Sequence, residues 1–378
     1  MMERGALAAA PELPRDRRIH EATAADDEEL RCLLRSRPME GSIRLALTRE
    51  PRFQDAARIE GERHRTVVVR DGDDTLLGFG SRSVRRLYLG SKPRLVGYLG
   101  QLRSARGVRG LRRLRQAFAW LRRTRRPDEA PFDLTAILED NESARRLLER
   151  GLPGLPAYRP LAEIRTLILS TRRRSPSPGP TRPLSPGRRQ AFLEFLHHNL
   201  SRQPLASVWK APDFEPGGRL RDLCWQEVRL LEEGGRIVAS GALWDQRSFK
   251  QTRVEGYGPW LGKLRPMINL GLRGLGQPTL PPPGAELAMA FVTALAVEDE
   301  RPERAIPLLQ GLCRLGRKRG IDQLVLSFAR GHPLLEAVRR HFSGRVYRSK
   351  LYAVCWAGDP DPRAALGDGL PYLEAAFL

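Results

Sequence analysis

Lysine is scarce in this sequence. Of 65 basic residues only Lys92, Lys210, Lys250, Lys263, Lys318 and Lys350 are lysines, and arginine supplies the rest. That bias is what GC-rich coding gives, so the net charge of +21 points to acidic partners only weakly. Cysteine is scarce too. Cys32, Cys224, Cys313 and Cys355 form no CxxC pair and lie in apolar or mixed surroundings, which excludes a disulfide framework and a zinc site and predicts reduced, buried thiols. His197 and His198 share the helical stretch "RRQAFLEFLHHNL", but adjacent positions are the wrong spacing for a paired metal site, and no metal is expected. No run approaches the ~20 apolar residues of a membrane-spanning helix, so no membrane partner is expected. The opening "MMERGALAAAPELPRDRR" lacks the long apolar core of a secretory signal and the pattern of a transit peptide. A cytoplasmic protein of bacterial type follows as the expectation. No nucleophile elbow or dinucleotide fingerprint is present, and "GPWLGKL" fails as a P-loop because Gly258 is too close and no Ser or Thr follows Lys263.

What is present is enough apolar material for two packed units: 378 residues, 41% hydrophobic. The stretch "STRRRSPSPGPTRPLSPG" divides them as a linker or long exposed loop. The expected organisation is a flexible segment over 1–17, a first unit over 18–170, a linker over 171–187, a second unit over 188–357 and a loosely attached tail over 358–378.

The two units repeat one order of elements. In the first, "RTVVVRDGDDTLLGFGSRSVRRLYL" reads as a hairpin, "RLVGYLGQL" as a buried strand, and a helix starts at Leu111 with Leu111, Leu114, Phe118 and Leu121 on one stripe. "FDLTAIL" is a strand, Asn141 is the N-cap of the next helix, Gly151 is its stop, and "LAEIRTLILS" is a closing strand. In the second unit "EVRLLEEGGRIVASGALW", "AELAMAFVTALAV", a helix through Ile306 to Cys313 stopped by Gly320, "DQLVLSFA", "HPLLEAVRRHF" and "YRSKLYAVCW" run in the same sequence. The reading is an internal duplication.

The residues "GYLGQLRSARGVRGLRRL" and "AILEDNESARRLLERGLPGLPAY" resemble the acyl-CoA pyrophosphate motif and the Asn-capped helix of the GCN5-related N-acetyltransferase (GNAT) superfamily, here in a tandem form. The resemblance implies an α+β chain of two GNAT-like units, each a mixed, mostly antiparallel sheet flanked by helices. It implies transfer of an acyl group, most simply acetyl from acetyl-CoA or another acyl-CoA, to an amine on a small molecule or peptide. Glycines let backbone approach an anion, and free N–H groups at a helix start point toward it. The expected cofactor-binding residues are therefore Leu102, Arg103, Arg106, Gly107, Val108, Arg109, Gly110, Leu111 and Asn141.

The glycine spacing here differs from the family's loop, and the helix after Asn141 has Leu147 and Leu148 where the family commonly carries a tyrosine. Tyr158 is the nearest candidate general acid; Glu139 and Asp140, at a strand end, are the candidate bases. In the second unit the equivalent loop, "VEDERPERAIP", has no glycine and is rich in carboxylates that repel a pyrophosphate. Cofactor binding is expected in the first unit alone, with Trp244, Tyr257 and Trp260 of the second available to line a substrate cleft. The alternative is a non-catalytic scaffold of this fold that binds nucleic acid or another acidic partner through its charge.

Overall fold

The computed structural model describes residues 18–39, 42–105, 110–172, 180–274, 279–367 and 369–378. The first series of elements is β1 (Ile19–Glu21), α1 (Asp27–Arg35), β2 (Ile43–Thr48), α2 (Phe53–Ile59), β3 (Arg63–Arg70), β4 (Leu76–Leu89), β5 (Lys92–Ser104), α3 (Leu111–Arg123), β6 (Glu129–Leu138), α4 (Glu142–Leu148) and β7 (Ala157–Ser170). The second is β8 (Arg182–Pro183), α5 (Arg189–Leu200), β9 (Val228–Glu233), β10 (Arg236–Trp244), β11 (Gln251–Tyr257), α6 (Pro259–Gly274), β12 (Met289–Val297), α7 (Pro302–Lys318), β13 (Gln323–Ala329), α8 (Pro333–His341), β14 (Gly344–Cys355) and α9 (Arg363–Leu366).

Local chemistry explains most boundaries. Gly234 and Gly235 both take positive φ between β9 and β10, the geometry of a tight hairpin that glycine adopts at no steric cost. Asn141 caps α4 by accepting the Ala144 amide at 3.3 Å, and Gly151 and Gly320 take positive φ just past α4 and α7. On α3 the buried residues are Ala117, Phe118, Trp120 and Leu121, while Leu111 and Leu114 are half-buried.

Both series build a mixed, mostly antiparallel sheet, and the two sheets are continuous. Their strands run β1-β3-β4-β5-β6-β14-β7-β13-β12-β10-β9-β8. Among the described residues only β5–β6 and β12–β13 are parallel pairs. At the centre the closing strands are exchanged: β14, from the second series, pairs with β6, and β7, from the first, pairs with β13. β7 and β14 also pair with each other from Ala157↔Cys355 to Leu169↔Gly344. A separate ladder, β2 with β11, joins the series again across one face.

Three expectations change. The C-terminal segment is not loose: Tyr372 to Phe377 are buried, Gln246 Nε2 donates to Ala376 O at 2.9 Å, and Phe377 meets the Trp244 ring edge-on at 5.5 Å. Its short apolar run has no helix or strand period, so it reads as a tail until a partner surface is known. Both ends of the 171–187 stretch are anchored: the buried Thr171 donates its hydroxyl to Ile321 O at 2.7 Å, and Arg182–Pro183 pairs with β9 as an edge strand, the place in a sheet where proline is tolerated. All four cysteines are free, but Cys32 is exposed on α1.

Candidate functional site

The parallel strands β5 and β6 pair at Leu95↔Glu129, shift register, pair again at Gly97↔Asp133 and Tyr98↔Leu134, and pair no further. Beyond that point β5 runs to Ser104 and β6 to Leu138, so the two strands part and β5 keeps backbone groups without a ladder partner on that side. A bulge at Gln101, whose φ is +55°, bends β5 here. The Tyr98 hydroxyl reaches into the gap and accepts the Ala136 amide at 3.2 Å; burial pushes its pKa up to about 12.

The mouth of the gap is chemically unfinished. Gln101 Oε1 and Arg103 Nε are buried without a hydrogen-bond partner. Burial, and then the nearby Arg49 guanidinium, make charge on Arg103 costly and lower its pKa. Leu102 beside them is 41% exposed, unusual for a large apolar side chain on a sheet. Gly110 stands at the N-cap of α3 with no side-chain cap, and a Cβ placed there would meet nothing nearer than Arg113 Cδ at 4.0 Å. Leu111 begins the helix, half-buried. The remaining expected loop residues, Arg106, Gly107, Val108 and Arg109, lie outside the described residues. Asn141 is engaged as a cap, its Oδ1 also accepting Ser143 Oγ at 3.2 Å.

The same construction recurs in the second series, but it is filled. β12 and β13 part after Phe291↔Val325, and Ala294, with φ of +48°, marks the equivalent bulge. The C-terminal segment lies in the opening: Ser327 Oγ donates to Leu373 O, and the Ala294 amide faces the Glu374 carboxyl. A cavity of ≈ 10 Å³ remains, bounded by Gln203, Leu295, Glu300, Phe328, His332 and Tyr372. The acidic residues ahead of α7 are consumed internally. Glu298 pairs with Arg236 and Arg304, each at 2.7 Å; Glu300 accepts Gln203 Nε2 at 3.0 Å and stands 3.5 Å from His332.

Between the β2–β11 ladder and the sheet is a set of buried ionisable groups. Arg49 and Glu60 form an ion pair, and Glu60 lies 3.7 Å from His64 Nδ1. His64 bonds Ser83 Oγ at 2.8 Å and Thr66 Oγ1 at 2.9 Å; its burial lowers its pKa to about 4. Lys250 donates to Leu378 O, and burial lowers its pKa to about 8 against the attraction of Glu60. Arg85 is clamped between aromatic faces, its guanidinium carbon 4.9 Å from the centres of both Tyr98 and Phe377, with Nε buried and unpartnered. Glu374 completes the set; burial raises its pKa to about 7. A carboxyl at that value exchanges a proton readily near neutral pH, the property required of a general base.

The catalytic candidates read from sequence are not brought together. Tyr158 packs edge-on against Phe118 at 6.5 Å and Tyr352 at 5.9 Å, under α3, where burial drives its pKa far up. Glu139 is 3.5 Å from Arg165, and Asp140 is exposed. Tyr352 of β14 donates its hydroxyl to Glu149, just past α4, at 2.5 Å. The three aromatics expected to line a cleft are dispersed: Trp244 is fully buried and donates to Arg221 O, Tyr257 donates to Pro281 O, and Trp260 is 66% exposed. His197 bonds the Tyr88 hydroxyl and His198 bonds Arg202. Glu60, His64, Arg85, Lys250 and Glu374 carry no local motif. Tyr98 lies inside the stretch that carries the resemblance, and its face of the strand is the information the sequence does not hold.

No protein-family model matches the sequence, and no curated protein matches it. Solved structures do match. Saccharomyces cerevisiae N-myristoyltransferase with bound myristoyl-CoA is 13% identical and superposes over 97% of this chain and 92% of that chain, with a TM-score of 0.57. The GCN5-related glucosamine N-acetyltransferase region of a fungal multi-domain GH3 beta-N-acetylglucosaminidase is 13% identical over 89% of this chain and 38% of that chain, with a TM-score of 0.54. The chain has the fold these proteins share.

Proposed function

We propose that this chain, built on the GCN5-related N-acetyltransferase fold, is an acyl-CoA-dependent N-acyltransferase that holds its cofactor in the first half and acylates an amine. The observation that carries the reading is the parting of β5 and β6 beyond Tyr98 and Leu134, with the bulge at Gln101. The residues there fit a long ligand that is polar along its length and anionic at one end. β5 offers unpaired backbone groups, Gln101 Oε1 and Arg103 Nε await partners, and α3 begins at Gly110, where a side chain would meet nothing nearer than Arg113 Cδ at 4.0 Å. Acyl-CoA, when bound, supplies an activated thioester carbonyl.

The chain's own task is positioning and proton handling. β5 and the start of α3 orient the cofactor, and Arg103, which donates to Leu102 O but forms no salt bridge among the described residues, offers its phosphates a positive charge. Glu374 takes the proton that the amine must lose before it attacks, and the charge of Arg85, which stacks on Tyr98, acts on that carboxyl. The second half contributes walls rather than a cofactor site, because its own opening is occupied by Tyr372 to Glu374 and its helix start by its own carboxylates. Acetyl is the simplest acyl group, and a small-molecule or peptide amine the acceptor class.

Titration calorimetry with acetyl-CoA and longer acyl-CoAs tests this. One cofactor is expected per chain, and Gly110→Phe should abolish binding while leaving the unfolding transition in place. Two cofactors per chain, or undiminished affinity in Gly110→Phe, would refute the assignment.

A further inference from the structure

α6 carries large apolar side chains on both of its sides. Toward the protein it turns the half-buried Leu261, Ile268 and Leu272 together with two polar residues: Arg265 Nη1 donates to Pro281 O at 3.0 Å, and Asn269 both donates to Leu280 O at 2.9 Å and accepts the Leu280 amide at 2.7 Å. A second apolar set faces outward. Trp260, Leu264, Met267 and Leu270 are 66%, 40%, 72% and 72% exposed. No residue of this 16-residue helix is buried. Among the described residues, these four make up half of all large apolar side chains left exposed.

The four fall within an arc of about 120° at ~100° per residue, so they form one continuous stripe. Packing α6 on its own protein uses Leu261, Ile268 and Leu272 and leaves this stripe without a partner among the described residues. Lys263 lies within the stripe and Arg273 at its end, and the segment Pro259–Gly274 contains no acidic residue. Arg345, exposed at the start of β14, adds positive charge near Tyr257 at the base of the helix. An apolar stripe of Trp, Leu and Met edged by cations matches the chemistry of an anionic lipid surface, with headgroups for the cations and the acyl-chain boundary for the stripe. Scattered single exposed apolar residues need no explanation, but a stripe does.

We propose that α6 is a surface anchor that seats the protein on an anionic phospholipid bilayer, lying in the interface without crossing it. The sequence expectation of no membrane partner rested on the lack of a spanning segment, and no helix among the described residues is long and apolar enough to span. A helix lying flat has no such requirement.

The test is co-sedimentation of the full chain with vesicles of phosphatidylcholine containing about one third phosphatidylglycerol, compared with phosphatidylcholine alone. The protein should partition onto the anionic vesicles, less so at high salt. The double variant Met267→Asp and Leu270→Asp should lower the partition coefficient roughly tenfold or more with an unchanged melting curve, since both positions are exposed. Three results would overturn the proposal: no partition of the parent protein, equal partition of the variant, or a parent dimer that the variant dissolves without any vesicle binding. The last would assign the stripe to a second copy of the chain. None of these readouts depends on acyltransferase activity.

Discussion

Gly97 of β5 and Asp133 of β6 are register partners at the last stretch where the two strands still pair, and the glycine is what lets the carboxylate fit. Asp133 is buried, and Arg82 binds it at 2.8 Å while also pairing with the buried Glu129. A Cβ on Gly97 would overlap Asp133 Oδ1 and stand 2.6 Å from Arg82 Nη2. Gly97→Ala should therefore destabilise the protein by roughly 2–4 kcal/mol, because the side chains that must give way are the members of a buried ion cluster. Denaturant unfolding would measure it, and a loss under half a kcal/mol would mean the cluster is softer than its burial implies.

The cap of α4 is a milder and independent test. Asn141 is exposed and satisfies the Ala144 amide, so Asn141→Ala should cost about 1 kcal/mol. Its effect on acyl-CoA affinity should be small if capping is its whole role; a loss of affinity beyond threefold would add a ligand contact.

The pH dependence of stability should contain two opposed contributions. Glu374 has its pKa raised from 4.5 to about 7 by burial. The folded state thus keeps a proton that the unfolded state releases, and this stabilisation, full below pH 4.5, is lost as pH rises through 7. His64 has its pKa lowered from 6.5 to about 4 by burial. Its contribution is full above pH 6.5 and is lost as pH falls toward 4. Each shift corresponds to about 3 kcal/mol at most, and the two slopes nearly cancel where they overlap. Unfolding measured across this range should show the variants diverging: Glu374→Gln should lose stability toward acid relative to the parent, and His64→Gln toward neutral. Curves parallel to the parent in both would refute the assignment.

Glu374→Gln also tests the chemistry. The amide keeps the shape and cannot take a proton. It should lower kcat by roughly 10²–10⁴ and remove the pH limb near 7, with acyl-CoA affinity unchanged. Unaltered kcat would place the base elsewhere among the buried groups.

Much of the fold was legible locally. The hairpin turns at Gly234–Gly235, the Asn141 cap, the stops at Gly151 and Gly320 and the stripe of α3 depend on backbone conformation and on neighbours three or four residues away, which a single sequence displays. The contrast between the arginine- and glycine-bearing loop of the first half and the acidic loop of the second was equally visible. So was the strand ending at the gap, though its glycine-containing loop lies largely outside the described residues.

What tertiary structure alone decided is pairing at long range. β7 and β14 are both apolar closing strands, and nothing in either says which half it must complete; their exchange is settled by the sheet's two central openings and the register between them. The candidate base was unreadable for the same reason. Glu374 is an ordinary glutamate in a short apolar run until that run is laid into the gap beside Ala294, where loss of water lifts its pKa. Likewise α6 is apolar on both sides in sequence, and only its packing reveals that the protein covers Leu261, Ile268 and Leu272 and leaves Trp260, Leu264, Met267 and Leu270 exposed, because the pattern does not say which side the protein covers.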